Sequence, residues 1–139
     1  MSPDALLETR TPLRLAAQGR RGPLIVPLWF YWEDGRFWCA SHRDAALIRA
    51  LRDDDTVAFD LSTNEMPYIG IRGRGRGVLH PERGSAVLER LIDRYLGTRE
   101  HRLAKWLLSS AAEEIAIEVA PHRRTTWDYS ARMQGLAGR

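Results

Sequence analysis

Residues 71–79 read IRGRGRGVL, in which Arg72, Arg74 and Arg76 alternate with three glycines. Side chains two residues apart in a β-strand lie on the same face, so this stretch predicts a strand with arginines on one face and glycines on the other. A strand face without side chains can coil sharply, which is a normal device at a barrel corner. We expect the strand to run from about residue 66 to residue 80.

Two other functions fit an arginine–glycine repeat. A phosphate-binding glycine loop would lead into a helix N-terminus, whereas this repeat leads into Val78-Leu79-His80-Pro81, so we exclude it. A disordered repeat that binds nucleic acid would lie in low-complexity sequence, whereas this one lies inside a folded pattern. Nucleic-acid binding through the arginine row (Arg72, Arg74 and Arg76) is therefore the less favoured alternative.

The bulk composition is that of a globular protein. The chain has 139 residues, 44% hydrophobic and 28% charged, which predicts one domain over residues 1–139. No apolar run approaches the ~20 residues of a membrane span, and the N-terminus has no secretory signal pattern. Acidic residues are interspersed with the arginines, so the net charge of +3 comes without a basic stripe of the kind that nucleic acid requires.

Cysteine and histidine usage narrows the chemistry. Cys39 is the only cysteine, which excludes an intramolecular disulfide and predicts a cytoplasmic protein. We interpret Cys39 as a small buried hydrophobe, because it lies in a strand between aromatic residues. The four histidines lack the spacing of metal ligands, so no metal site is predicted.

Together with residues 66–80, the hydrophobic periodicity of the rest of the chain predicts six strands. They are residues 13–18, 24–32, 37–41, 56–62, 66–80 and 113–121. LIVPLWFYW, residues 24–32, is predicted as one strand buried on both faces, in which Pro27 needs a bulge or an edge position. Asp34-Gly35 between aromatic runs predicts a type I′ hairpin. An arginine-rich tail follows the last strand.

Three helices are predicted between these strands. The first opens with Ser41 or Asp44 as a cap, buries Leu47, Ile48 and Leu51, and ends in an acidic run. The second ends just before a glycine at its C-terminus.

The third helix is predicted to be capped by Thr98 and to place Leu103, Trp106 and Leu107 on one face. Because helices do not separate the strands one by one, an antiparallel barrel with helices on its outside fits better than a doubly wound parallel sheet.

PLIVPLWFYWEDGRFWCAS, TVAFDLS, IRGRGRG and IAIEVAPHRRTTWDY, in this order, resemble the flavin-binding split-barrel superfamily, the group of pyridoxamine 5′-phosphate oxidase and its deazaflavin-using relatives. The resemblance covers roughly residues 11–129. It implies a mostly β protein, a six-stranded antiparallel split β-barrel with peripheral helices that forms a homodimer. It also implies FMN, or the deazaflavin F-420, at the dimer interface, with hydride or electron transfer to a small-molecule substrate.

The same resemblance implies which residues face the ring of the cofactor. The backbone of Val26, Pro27 and Leu28 would run along the ring. Tyr68 occupies a position that sends a side chain to the ring, and Trp106 would close the pocket from the partner subunit. No catalytic acid or base is predicted, because the cofactor carries the chemistry in such enzymes.

On the phosphate side, the resemblance implies Ser41 and His42 at the end of a strand, and Arg43 and Arg49 around the following helix. Free N–H groups at a helix start and arginine forks both bind phosphate. The chain departs from the family where many members carry a lysine, because it has Leu47 there. True pyridoxamine-phosphate oxidase activity is therefore not expected, and a different ligand or no cofactor are alternatives to FMN and F-420.

Overall fold

A computed structural model describes residues 1–133, which form one antiparallel sheet with helices packed on it. The strands are Leu13–Gly19 (β1), Gly22–Leu28 (β2), Tyr31–Glu33 (β3), Arg36–His42 (β4), Thr56–Ser62 (β5), Ile69–His80 (β6) and Glu114–Asp128 (β7). The α-helices are Ala46–Asp53 (α1), Gly84–Leu96 (α2), Arg102–Leu108 (α3) and Ser130–Met133 (α4). Short 3₁₀ turns cover Pro3–Glu8, Pro81–Arg83 and Ala111–Glu113. The single-domain prediction also covered residues 134–139, which lie outside the described residues.

The seven strands are ordered β2-β1-β5-β6-β7-β4-β3, and every neighbouring pair is antiparallel. The prediction of a mostly β, antiparallel protein with peripheral helices is confirmed. The prediction of six strands is wrong, because residues 24–32 form two strands, β2 and β3, at opposite ends of the sheet. These two end strands do not pair with each other, so the sheet is not closed.

The chain breaks between β2 and β3 at Trp29 and Phe30. The Phe30 side chain is fully buried, and its backbone N–H donates to Tyr95 Oη at 3.2 Å rather than to a neighbouring strand. The Trp29 ring stacks on Tyr95 with 4.9 Å between ring centroids. β2 is consequently a half-exposed edge strand, not a strand buried on both faces, and Pro27 lies on that edge as one of the two predicted positions.

The main core lies on one face of the sheet under α1 and the N-terminal 3₁₀ turn. The alternation predicted for β5 is confirmed, since Val57, Phe59 and Leu61 are buried. The apolar stripe predicted for α1 is also confirmed by its buried leucine and isoleucine side chains. A smaller apolar cluster on the opposite face joins α2 and α3 to β3, β4 and β7.

The arginine–glycine stretch is a strand, as predicted. Ile71 is fully buried and Arg72, Arg74 and Arg76 are exposed, so the two faces separate as expected. The strand begins at Ile69 rather than near residue 66. A Cβ at Gly73 would lie 2.8 Å from Phe59 Cζ and would also collide with a backbone carbonyl of β7, which explains the glycine.

The last strand is longer than predicted. β7 runs to Asp128, because the arginine-rich segment that was expected to be a tail pairs with the first half of β6. The pairing places Ile69 opposite Asp128, and a register shift between Arg74 and Gly75 lets the two long strands continue together.

Two predicted helix starts are wrong. Ser41 lies in β4, and α1 begins after Ala45 with no side-chain cap, so neither Ser41 nor Asp44 caps it. α3 is capped by His101, whose Nδ1 accepts from the backbone N–H of Leu103 at 3.0 Å, and not by Thr98. None of the helices within residues 1–133 combines the length and the apolar composition that a bilayer crossing requires.

Candidate functional site

The outer edge of β2 is open to ligands but closed to further strands. β2 pairs only with β1, so half of its backbone groups face away from the sheet. Pro23 and Pro27 have no N–H, and such residues fit only where the N–H would point away from the neighbouring strand. Because backbone groups alternate in direction along a strand, the N–H of Ile25 also points away from β1, whereas the N–H groups of Val26 and Leu28 point toward it. Ile25 is 68% exposed.

This alternation changes what the predicted ring-binding residues can offer. The N–H groups of Val26 and Leu28 belong to the ladder with β1. Of the outward-facing positions, Ile25 alone provides an N–H, and the carbonyls of Pro23, Ile25 and Pro27 provide acceptors. Sequence reasoning missed Ile25, although the Pro-x-x-x-Pro spacing on either side of it was the available signal.

A concavity of about 530 Å³ continues from this edge toward α1. It is lined by Arg20 and Arg21 of the β1–β2 turn, by Arg49 of α1, and by the small side chains of Ala46 and Ala50. We call it the basic hollow. Arg49 was predicted from the resemblance, whereas the sequence analysis assigned Arg20 and Arg21 to no site.

The charges in the basic hollow are not equivalent. Arg20 Nε donates to Asp53 Oδ2 at 2.8 Å, and this hydrogen bond holds the pKa of the Asp53 carboxyl below its usual range. Arg49 Nη1 donates to the backbone carbonyl of Asp44 at 2.6 Å, which fixes its position without neutralising it. Within residues 1–133, neither Arg21 nor Arg49 has an ion pair with a carboxylate.

The predicted phosphate-side residues of β4 are engaged elsewhere. His42 Nδ1 accepts from the backbone N–H of Asp44 at 3.1 Å, so Nε2 carries the proton that is donated to Glu113 Oε2 at 2.7 Å. Arg43 Nη2 lies 3.5 Å from the other oxygen of Glu113. Ser41 pairs with Ile115 in the β4–β7 ladder. His42 and Arg43 therefore contact Glu113, and none of the three residues lines the basic hollow.

The other two predicted residues are also apart from the hollow. Tyr68 precedes β6 and is 36% exposed, and its carbonyl accepts from the backbone N–H of Tyr129. The strand register puts Tyr68 near the Leu28 end of β2, opposite to the Arg49 end. Trp106 is 69% exposed on α3. Binding of a cofactor by any of the nine residues therefore stays a prediction.

Leu47, at the position where the resemblance implies a lysine, is 2% exposed and packs in the main core. Its side chain can offer nothing to a ligand at the start of α1. The only basic residue of α1 that lines the basic hollow is Arg49, two residues further along the helix.

The solved structures with the same fold include three that align with most of this chain. A conserved hypothetical protein of Mycobacterium tuberculosis, Rv2991, is 22% identical over 97% of this chain and 88% of its own, with a TM-score of 0.75. An F420 reductase is 22% identical over 90% of this chain and 97% of its own, with a TM-score of 0.70. An FAD-binding protein of Mesorhizobium loti is 17% identical over 89% of this chain and 90% of its own, with a TM-score of 0.64.

At these identities the similarity concerns the fold. A search of curated proteins found no match. The family model for pyridoxamine 5′-phosphate oxidase matches residues 3–133, which is nearly the whole chain. The split-barrel resemblance recognised in the sequence is thereby confirmed, and the chain belongs to the pyridoxamine 5′-phosphate oxidase family of the flavin-binding split-barrel superfamily.

Proposed function

We propose that this protein is an oxidoreductase that binds FMN or the deazaflavin F-420 along the open edge of β2. The observation that carries the proposal is the continuity between that edge and the basic hollow. An apolar, proline-blocked strand edge that ends in arginines suits a flat ring with an anionic tail. Family membership and the folds shared with an F420 reductase and an FAD-binding protein support it.

The dimensions of the edge fit such a ligand. Five residue steps separate Pro23 from Leu28, and a strand rises about 3.3 Å per residue, so the edge is ~17 Å long. This length accommodates a tricyclic ring at the Leu28 end and a sugar–phosphate chain that reaches toward Pro23 and the hollow.

The chain's own groups would hold and orient the ring. The imide edge of a flavin or deazaflavin has a donor between two acceptors. The Ile25 N–H would donate to one ring carbonyl, and an outward carbonyl of Ile25 or a proline neighbour would accept from the ring N–H. When bound, such a ring supplies hydride or single-electron transfer to a small-molecule substrate. The residues along β2 would position the ring and keep water from one of its faces.

We also propose that the active unit is a homodimer formed through the face of β2, β1, β5 and β6 that lies opposite the main core. Outward side chains here, among them Ile25, Ala58 and Arg74, are exposed in the single chain. A second copy on this face would cover the apolar positions and would complete the wall on the far side of the β2 edge, where a partner's Trp106 is expected.

A ligand-binding protein without catalysis is the second candidate, and the burial of Leu47 favours it, because a weakened phosphate grip would lower cofactor affinity. Nucleic-acid binding by the arginine row has less support. Arg76 Nη1 is already paired with Asp55 Oδ1 at 2.9 Å, which leaves two arginines of the row for phosphates.

The test is to purify the protein from a host that makes both FMN and F-420, record its absorption spectrum, and identify by mass spectrometry what heat releases. A flavin or deazaflavin band that co-purifies supports the proposal and decides between the two cofactors. A spectrum without either band, followed by failure to bind either cofactor on titration, removes the oxidoreductase and leaves the ligand-binding protein.

A further inference from the structure

The resemblance implies a lysine for the anionic tail of the cofactor at the position where this chain has Leu47. Leu47 is turned into the main core, and the arginine at position 43 contacts Glu113. We propose that Arg21 and Arg49 hold this tail in the basic hollow, between the β1–β2 turn and α1. The inference rests on the proposed function. The resemblance already implied Arg49 for the phosphate side, and the structure adds Arg21 beside it.

The charge balance selects these two arginines. Three guanidinium groups line the hollow, and Asp53 pairs with Arg20. Arg21 and Arg49 therefore contribute two positive charges without a carboxylate partner among residues 1–133. Two uncompensated charges match the roughly two negative charges of a phosphate monoester at neutral pH.

The shape of the hollow lets an anion reach both arginines. Ala46, Arg49 and Ala50 lie at positions i, i+3 and i+4 of α1, so they share one helix face, and this face lines the hollow. The two alanines leave room beside the Arg49 guanidinium. Arg21 faces them from a two-residue turn between Gly19 and Gly22.

The position of Arg49 is fixed before any ligand binds. One of its five N–H groups donates to the Asp44 carbonyl at 2.6 Å, which leaves four for a ligand. An anchored guanidinium loses less side-chain entropy on binding, and its planar fork can hold two phosphate oxygens at once. The start of α1 adds a favourable field, since its first turn contains no acidic residue.

The shared chemistry of the ligand is a phosphate on the sugar chain of a ring cofactor. In FMN it is a terminal monoester, and in F-420 it is a diester followed by carboxylates. The two sources are distinguished by comparing each cofactor with its own phosphate-free ring riboside, which has the same ring and sugar chain.

The experiment measures the affinity of FMN and of riboflavin for the purified chain by quenching of ring fluorescence, and repeats it with F-420 and its phosphate-free riboside. The variants are Arg21→Gln, the double variant Arg21→Gln with Arg49→Gln, and the control Arg52→Gln. Arg52 is an exposed arginine of the same helix that does not line the hollow.

We expect the phosphate-bearing form of at least one cofactor to bind at least about tenfold tighter than its riboside, since charge-assisted hydrogen bonds are lost with the phosphate. The double variant should reduce this ratio to near one without changing the affinity of the riboside. Arg21→Gln should reduce it in part, and Arg52→Gln should leave it unchanged. Equal affinities of each wild-type pair, or a ratio that survives in the double variant, would overturn the inference.

Failure of the proposed function gives a different pattern. If the wild-type chain binds none of the four ring compounds, the oxidoreductase proposal falls. Binding of inorganic pyrophosphate, measured by ³¹P NMR line broadening, then tests the hollow by itself. Pyrophosphate binding that disappears in the double variant and persists in Arg52→Gln supports an anion site made by Arg21 and Arg49. Absence of binding, or equal binding by all variants, overturns it.

Discussion

The phenol of Tyr95 connects helix α2 to the break between two strands. Its oxygen accepts from the buried N–H of Phe30, and its ring stacks on Trp29. Burial is the main cause that raises the pKa of Tyr95 above its ordinary value. One side chain therefore satisfies a backbone donor that lost its strand partner and covers the adjacent aromatic ring.

Replacement of Tyr95 by phenylalanine keeps the ring and removes the acceptor. The Phe30 N–H is then buried without a partner, so we expect the free energy of unfolding to fall by about 1–3 kcal/mol. Urea unfolding at pH 7 measures the change. Tyr129→Phe is the control, since Tyr129 is 40% exposed and should change stability by less than ~0.5 kcal/mol. Equal stabilities of the two variants would contradict this role of Tyr95.

The pH dependence of stability follows from the same residue. Because the pKa of Tyr95 is raised in the folded state, the folded chain holds its proton at pH values where the unfolded chain has lost it. Stability should therefore fall as pH rises through the ordinary tyrosine value of about 10. The fall should be smaller in Tyr95→Phe. The free energy of unfolding, measured for both proteins between about pH 8 and pH 11, checks this expectation.

Gly73 is the second residue that decides the packing of a strand, because it has no side chain. A Cβ at this position meets the Phe59 ring and a carbonyl of β7, and backbone cannot move aside as a flexible side chain can. We expect Gly73→Ala to lower the free energy of unfolding by about 3 kcal/mol. Thermal and urea unfolding measure it, with Arg72→Ala on the exposed face of the same strand as control. A change no larger than the control's would show that the strand accommodates the methyl group.

At the scale of elements, the sequence predicts best where the signal is local. Asp34 and Gly35 adopt positive φ values of 53° and 76°, as the predicted hairpin turn requires. The break at Trp29 and Phe30 was missed, because these two residues continue the aromatic β pattern of LIVPLWFYW. Its cause is Tyr95, which lies 65 residues from Phe30 along the chain.

The role of the β2 edge in binding can be tested with a proline substitution, because the strand already contains two prolines whose nitrogen lies on this edge. Ile25→Pro removes the one outward N–H between Pro23 and Pro27. We expect the fold to persist, as followed by circular dichroism, and the affinity for the cofactor ring to fall about tenfold, since one hydrogen bond is lost without a substitute. Ile25→Val keeps the N–H and should bind normally. Ring binding by Ile25→Pro at wild-type affinity would place the ring elsewhere.

At the scale of the whole molecule, the sheet face opposite the main core is covered by α2 over β3, β4 and β7 and is exposed over β2, β1, β5 and β6. The sequence predicts which side chains lie on this face, but their exposure depends on where the helices pack. Likewise, Arg21 and Arg49 line the same hollow because α1 packs against β1, and the turn sequence GRRGP does not indicate that packing.

The exposed part of this sheet face predicts that the protein is a homodimer. We expect light scattering to give a mass of about twice the 15.9 kDa of the chain. Ala58→Arg adds a large charged side chain beside Arg74 at the centre of this face and should shift the mass toward that of one chain. Ala112→Arg, at an exposed position before β7, is the control. A dimer that persists in Ala58→Arg would place the interface on another surface.

The central claim is that the β2 edge and the basic hollow bind a flavin-type ring with an anionic tail. Titration of the cofactor-free chain with FMN and with F-420, followed by ring fluorescence at equilibrium, tests it most directly. The account predicts saturable binding of at least one of the two, with one ring per chain and weaker binding in the Arg21→Gln, Arg49→Gln double variant. Absence of saturable binding of both, by a chain that is folded by circular dichroism, would contradict the account.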